Sequence, residues 1–287
     1  MRRSVFNQKG GVGKTSVACN IAAAFAKAGR KVLVVDLDAQ ANSTRYLLGD
    51  AAPSVTKTVA DFFASTLNFN LFRESLKDTI YPTNYDQLYI IPAEESLTEL
   101  QPKLEGRYKI FKLAEAVAHT VELMGFDEVI FDTPPALNFY SMSSLIASDR
   151  VLVPFDCDQF SADALTQVVQ RVEEVRQDHQ ENLVVEGVVI NQFQAQARLP
   201  METITKLQAA GYHVLKPFLS SSVVMRESHS AGIPLPYFRP KHKLTLEFEA
   251  LATMLLGPPK GRGKSRGATA GSRRVTQPPT PERGAEL

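Results

Sequence analysis

Cysteine is scarce in this chain of 287 residues: only Cys19 and Cys157 occur, far apart and outside any C-x-x-C or other metal-ligand spacing. A zinc or iron–sulfur centre therefore cannot be assembled from cysteine, and two buried thiols of a reduced compartment are expected instead. Histidine is as thinly spread: His119, His179, His213, His229 and His242 form neither a metal spacing nor a Ser–His–Asp pattern, and all five are expected to be structural or on the surface. No apolar run approaches the roughly 20 residues of a membrane-spanning helix. Met1-Arg2-Arg3 is basic, but a glycine-rich stretch arrives before an apolar targeting segment could form. No DNA-reading helix-turn-helix precedes Arg3, so sequence-specific autorepression is not expected. The formal net charge is only +1, which excludes affinity for polyanions through the global field. These absences together predict a soluble, cytoplasmic protein.

What is present is an alternation. Short apolar runs at Ser4–Asn7, Lys31–Asp36, Leu88–Pro92, Glu128–Asp132, Val151–Phe155, Val184–Asn191 and His213–Phe218 read as strands buried on both faces. Between them, helical patterns run over Thr15–Ala28, Ile110–Glu122, Ala162–Gln180, Met201–Ala210 and Leu244–Leu256. The alternation predicts an α/β fold, a doubly wound, mostly parallel sheet flanked by helices. Residues 49–85 are less regular and read as an insertion with short helices near Val59–Ala64 and Phe72–Thr79. The domain is expected to span residues 1–256. From Gly257 the composition turns to Gly, Pro, Ser, Thr and Arg, with seven Lys or Arg against two Glu, so the end is +5 and the rest −4. A segment so poor in apolar side chains cannot offset the entropy of ordering, and residues 257–287 are expected to be a disordered basic tail attracted to polyanions.

The chemistry concentrates at Lys9-Gly10-Gly11-Val12-Gly13-Lys14-Thr15-Ser16. The pattern G-x-x-x-x-G-K-[ST] is met at Gly13-Lys14-Thr15, with Gln8 where the first glycine belongs. Gly10, Gly11 and Gly13 let the backbone turn its N–H groups inward around phosphate oxygens, and the following helix adds its N-terminal dipole. In such a loop Lys14 reaches the β- and γ-phosphates and the Thr15 hydroxyl ligates Mg²⁺. Gly11-Val12-Gly13 with Ser16 and Asp36 also imitates a dinucleotide fingerprint, which leaves the Lys-Thr pair unexplained. Asp36 and Asp38 follow the second strand. Asp132 ends another, where Pro134 and Pro135 stop the ladder, and so sits at the ligand edge of a parallel sheet. Guanine-selective loops use N-K-x-D. The corresponding Asn191-Gln192-Phe193-Gln194 lacks the aspartate, which argues against guanine.

Lys9 is the distinguishing departure. K-G-G-x-G-K-[ST] resembles the deviant Walker A motif of the ParA/MinD family, P-loop ATPases that position DNA, organelles or division proteins. Asp36-Leu37-Asp38-Ala39-Gln40 resembles that family's D-x-D-P-Q segment, with Ala39 in place of proline. Arg226-Glu227-Ser228-His229-Ser230-Ala231-Gly232 is similar to its R-E-A-x-x-x-G region. The resemblance covers residues 3–256 and implies ATP and Mg²⁺ as ligands, with Lys9, Gly10, Gly11, Val12, Gly13, Lys14, Thr15 and Ser16 around the nucleotide and Asn191 at the adenine edge. It implies that Lys9 crosses to the nucleotide of a second subunit in an ATP-dependent homodimer. By the same resemblance Asp38 should orient or activate the attacking water, Asp36 should support the metal shell, and Asp132 looks like the Walker B acid that holds Mg²⁺ through water. It further implies non-specific DNA binding on a nucleoid, with Arg226, Lys241 and Lys243 as candidate contacts, and a stimulating ParB-like or cargo-adaptor protein. A MinD-like membrane reading needs an amphipathic terminal helix, and the stripe Leu244, Phe248, Leu251, Leu255 fits a helix packed on the sheet better. A metabolic ATPase of the same fold needs a second substrate domain, for which no chain is left.

Overall fold

The computed structural model describes residues 1–67, 75–157, 162–196 and 198–257; the tail expected from Gly257 onward lies, after that glycine, outside the described residues. Met1–Gly257 forms one unit. In chain order it runs β1 (Arg2–Val5), α1 (Lys14–Lys27), β2 (Val32–Asp36), α2 (Asn42–Leu48), α3 (Val59–Leu67), β3 (Tyr81–Pro82), β4 (Leu88–Ile91), α4 (Leu97–Gly106), α5 (Lys112–Met124), β5 (Glu128–Asp132), α6 (Phe139–Ile146), β6 (Arg150–Asp156), α7 (Ala162–Asp178), β7 (Val184–Asn191), α8 (Arg198–Ala209), α9 (Val223–Ala231), α10 (Leu235–Phe238) and α11 (Lys243–Leu256). The strands form a seven-stranded sheet in the order β3-β4-β2-β5-β1-β6-β7. Every pairing is parallel except that of the short edge strand β3 with β4.

Alternating side chains on each strand explain why the sheet is covered on both sides. Val32 and Val34 of β2, Ile130 of β5, Leu152 of β6 and Val189 of β7 pack with α1, α2, α10 and α11. Their neighbours Leu33, Val35, Val129 and Phe131 face α3, α4 and α5. Val151, Val153, Phe155, Val188 and Ile190 face α7 and α8. A strand with both faces in a core must be apolar throughout, which is why the runs are continuous.

Three expected elements differ. His213–Phe218 makes only an isolated bridge, Val214 to Val188, with Val188 N donating to His213 O and Leu215 N donating to Val188 O. Pro217 has no N–H for a ladder, and Leu215 packs over Gly187, where an added Cβ would come within 2.5 Å of it. Of the helix expected over Phe72–Thr79, Leu76–Thr79 is a 3₁₀ turn and residues 72–74 lie outside the described residues. The first strand runs Arg2–Val5 rather than Ser4–Asn7, because Arg2 and Arg3 satisfy their charges at the strand's start. Arg2 pairs with Asp149 at 2.6 Å. Buried Arg3 pairs with Glu128 and, at 2.7 Å, with Glu186, and it donates to the Leu255 carbonyl at 3.0 Å.

Candidate active site

β1, β2 and β5 are contiguous at the centre of the sheet, so whatever follows their C-terminal ends converges. After β1 the chain is tied down before it turns. Phe6 N donates to Leu152 O at 3.0 Å, and the Asn7 amide donates to Pro154 O at 2.9 Å while its carbonyl oxygen accepts from Lys9 N at 3.1 Å. Gly11 and Gly13 take φ of 78° and 85°, the left-handed region that favours glycine. At Gly13 space forbids a side chain as well, since a Cβ would lie 2.2 Å from Asn191 Nδ2. That amide donates to Val12 O at 3.0 Å, and Gln192 Nε2 donates to Gly11 O at 3.2 Å. The end of β7 thus braces the loop, and Asn191 is placed against its backbone. Gly13 caps α1 with no side-chain hydrogen bond, and the helix's first turn carries no acid. The first-turn N–H groups and the dipole there favour an anion.

Lys14 is buried, and its ammonium donates to the Lys9 carbonyl at 2.8 Å. Burial lowers its pKa, opposed by the charges of Asp132 and Asp38. Asp132 Oδ2 accepts two hydroxyls, Thr15 Oγ1 and Ser43 Oγ, each at 2.7 Å. Its other oxygen, Oδ1, is buried with no hydrogen-bond partner among the described residues. Asp36 sits beside Asp132 in register. Its Oδ2 accepts from Thr44 N at 2.9 Å and Thr44 Oγ1 at 2.8 Å, and its Oδ1 accepts from Asp38 N at 3.2 Å. Burial pushes both carboxyls up, Asp36 to about 8 with the charge of Asp132 adding, and Asp132 to about 6 against the hydroxyls of Ser43 and Thr15. Asp38 is half-buried and accepts from Gln40 N at 3.0 Å. The unpartnered Asp132 oxygen and the Thr15 hydroxyl beside it are oxygen ligands of the kind that a hard divalent cation takes, with Asp36 adding negative charge behind them.

A cavity of about 570 Å³ opens beside the loop, lined by Gly11, Gly13, Ser16, Asn191, Arg226 and His229 among others. Its size suits a nucleoside. Lys9 and Gly10 are exposed at the loop's tip. Arg226 is exposed on α9, and Lys241 and Lys243 are exposed at the start of α11, where Lys243 lies 3.7 Å from Glu247. The loop and the three acids are therefore brought together, while the basic residues lie on the neighbouring surface. Sequence reasoning missed Ser43 and Thr44, two hydroxyls at the start of α2 that resemble ordinary helix-starting residues. It also missed His229, which was expected to be structural or on the surface and stands 2.8 Å from Ser16 Oγ.

A parallel sheet whose first strand leads through a glycine loop to a helix beginning Lys-Thr, with an aspartate on the adjacent strand holding that threonine, defines a P-loop nucleotide hydrolase. A family described as "AAA domain" matches residues 3–185, well over half of the chain. The chromosome partitioning protein ParA of Myxococcus xanthus is 29% identical over 256 residues, covering 88% of this chain and 86% of that protein. The sporulation initiation inhibitor protein Soj of Bacillus subtilis is 29% identical over 245 residues, covering 84% and 92%. Among solved structures, cobyrinic acid a,c-diamide synthase from Mycobacterium smegmatis with bound ATP analogue and magnesium has the same fold, with a TM-score of 0.74 at 24% identity over 89% of this chain and 93% of that one. The chain belongs to the ParA/MinD family of P-loop ATPases.

Proposed function

We propose that the chain is a partition or positioning ATPase that binds MgATP at the glycine loop, dimerises on it, coats DNA without sequence preference and is released when a partner stimulates hydrolysis. The observation that carries the nucleotide part is the Thr15–Asp132–Ser43 arrangement, in which one buried carboxylate oxygen is saturated by two hydroxyls and the other has no partner. An unpartnered buried carboxylate oxygen is costly unless a ligand compensates it, and this one lies at the mouth of a loop built for anions. Thr15 and Asp132 would hold Mg²⁺, with Asp36 supporting from behind. The ion supplies charge neutralisation on the phosphate oxygens. Lys14 would leave the Lys9 carbonyl for the β- and γ-phosphates. Asp38, whose carboxylate accepts from Gln40 N in a local turn, is assigned to orienting a water, and phosphoryl transfer asks little more of the protein than such positioning.

Lys9, exposed at the loop's tip, is assigned to the nucleotide of a second copy. Asn191 is assigned to the adenine edge as well as to the loop. Arg226, Lys241 and Lys243, all exposed, are assigned to the DNA backbone, and such contacts should weaken steeply with salt. The chromosome-partitioning name of the Myxococcus xanthus relative supports DNA as cargo or track; a ParB-like or adaptor protein is assigned as the stimulating partner. The test is DNA binding by the full chain with ADP, with ATP and in Lys14→Ala. ATP-dependent binding that the variant loses supports the reading; equal binding in all three contradicts it.

A further inference from the structure

His229 sits where the nucleotide cavity meets a second cleft. On one side its Nε2 lies 2.8 Å from Ser16 Oγ, in the first turn of α1. On the other its ring lies flat on Tyr46 of α2, centroids 3.9 Å apart and planes 15° from parallel. The second cleft, about 580 Å³, is lined by His229 with Arg45, Tyr46 and Asp50. The support is rigid. Tyr46 Oη and Ser228 Oγ are 2.5 Å apart, Asn20 Nδ2 donates to Ser16 O at 2.8 Å, and Asn20 Oδ1 accepts from Leu235 N at 2.8 Å. Ring and hydroxyl are thus held from α1, α2, α9 and α10 at once.

We propose that His229 is a positioning residue of the nucleotide site: its Nε2–H donates to Ser16 Oγ, which turns the Ser16 hydroxyl proton toward a phosphate oxygen of the bound nucleotide. This rests on the nucleotide reading above. A hydroxyl has one proton and can donate in one direction only. If Nε2 accepted from Ser16, the serine would present lone pairs to an anion and repel it. If Nε2 donates, the proton is released toward the anion, and each hydrogen bond in the chain polarises the next. An anion at the loop therefore selects the donating form of the ring. The direction is the same for the Nε2–H tautomer and for the imidazolium, since both are donors at that nitrogen. Stacking on Tyr46 holds the ring's plane, and within that plane the contact with Ser16 Oγ is made by Nε2. A ring kept only for packing would need Tyr46 and not Ser16.

The test separates the two. His229→Phe keeps the stack and removes the hydrogen bond; His229→Gln restores an N–H near the same place. ATP affinity in the presence of Mg²⁺ and kcat are measured for the full chain, with and without Ser16→Ala. The expected result is a rise in Kd of about 5–10-fold for His229→Phe, the usual net worth of one hydrogen bond between neutral groups, with kcat within about twofold. His229→Gln should bring Kd back to within about threefold of wild type, and His229→Phe should add nothing in the Ser16→Ala background, as expected of coupled neighbours. A wild-type Kd for His229→Phe, or the same loss with and without Ser16, would overturn the proposal. Should the phenylalanine variant fail to fold, His229→Met is compared with His229→Gln: both lack the ring, and only the glutamine supplies an N–H. Wild-type protein that binds no ATP overturns the nucleotide reading and this proposal with it; wild-type protein that binds while the variants match it overturns this proposal alone.

Discussion

The two ends of the central strands both bury charge, and they treat it oppositely. At the N-terminal edge the charges are answered: buried Arg3 meets Glu128, Glu186 and the Leu255 carbonyl and lies 5.4 Å from the Phe25 ring centroid, and half-buried Arg2 meets Asp149. At the C-terminal edge two carboxylates lie side by side, both pushed up by burial, and one keeps an oxygen without a partner. The first edge is a stability device that ties β1, β5, β7 and α11 together. The second is destabilising in the protein alone, and such strain is tolerated where a ligand offsets it. Buried charge by itself marks neither; the presence or absence of partners separates a clamp from a site.

The comparison breaks most visibly at Lys14. Lys14→Ala is expected to reduce ATP hydrolysis by about 100-fold or more, the scale of losing an electrostatic contact to a transferring phosphoryl group, while leaving the melting temperature without ligand unchanged or higher. A steady-state ATPase assay beside a thermal melt checks both halves. At the other edge the pattern inverts. Arg3→Ala strands Glu128 and Glu186 and should cost about 3–5 kcal/mol of folding stability, with little change in ATP affinity for the protein that remains folded, as read by denaturant titration and by binding.

A smaller effect sharpens the contrast through pH. The folded-state pKa values of Asp36 and Asp132 are raised, so the folded protein holds more protons than the unfolded chain between about pH 4 and pH 8. Stability without ligand must then fall as pH rises through that window. Asp132→Asn removes the charge and keeps an acceptor for Thr15 and Ser43. It should flatten the dependence and raise the melting temperature at pH 8 by roughly 4–8 °C, taking ~2 kcal/mol for the relieved charge, while abolishing Mg²⁺-dependent hydrolysis. The smallest change belongs to neither edge. Ser222, whose hydroxyl accepts from Val224 N at 3.2 Å, caps α9. Ser222→Ala should cost about 1 kcal/mol, a calibration against which the two edges can be measured.

Much of this was legible in the sequence, because the signals are local. A strand buried on both faces must be an apolar run, and a loop that wraps phosphate must be glycines before Lys-Thr, so β2, β5, β6, β7 and residues 9–16 could be read directly. The acids Asp36, Asp38 and Asp132 were legible because each follows such a run. What stayed hidden depends on distant contacts. Ser43 and Thr44 look like any helix start until β2 and β5 bring Asp36 and Asp132 beneath them. Asn191 could be placed at a strand end, but its donation to Val12 O across 179 positions follows from sheet order alone. His229 falls at an unspecified position of the Arg226–Gly232 segment; its contacts with Ser16 and Tyr46 arise because α9 lies against α1 and α2. The run His213–Phe218 misled in the other direction, since its apolar pattern serves packing over Gly187 rather than a ladder.

The most direct test of the central claim, that the unanswered charge at the C-terminal edge is answered by metal and nucleotide, is thermal melting of the full chain at pH 8. Wild type and Asp132→Asn are compared with ATP plus Mg²⁺, ATP plus EDTA, and GTP plus Mg²⁺. The account expects wild type to be stabilised by MgATP, by about 2.7 kcal/mol at a hundredfold excess over Kd, clearly less by ATP without metal or by MgGTP, and expects Asp132→Asn to lose the metal-dependent part. Equal stabilisation of both proteins under all three conditions, or none of wild type by MgATP, would contradict it.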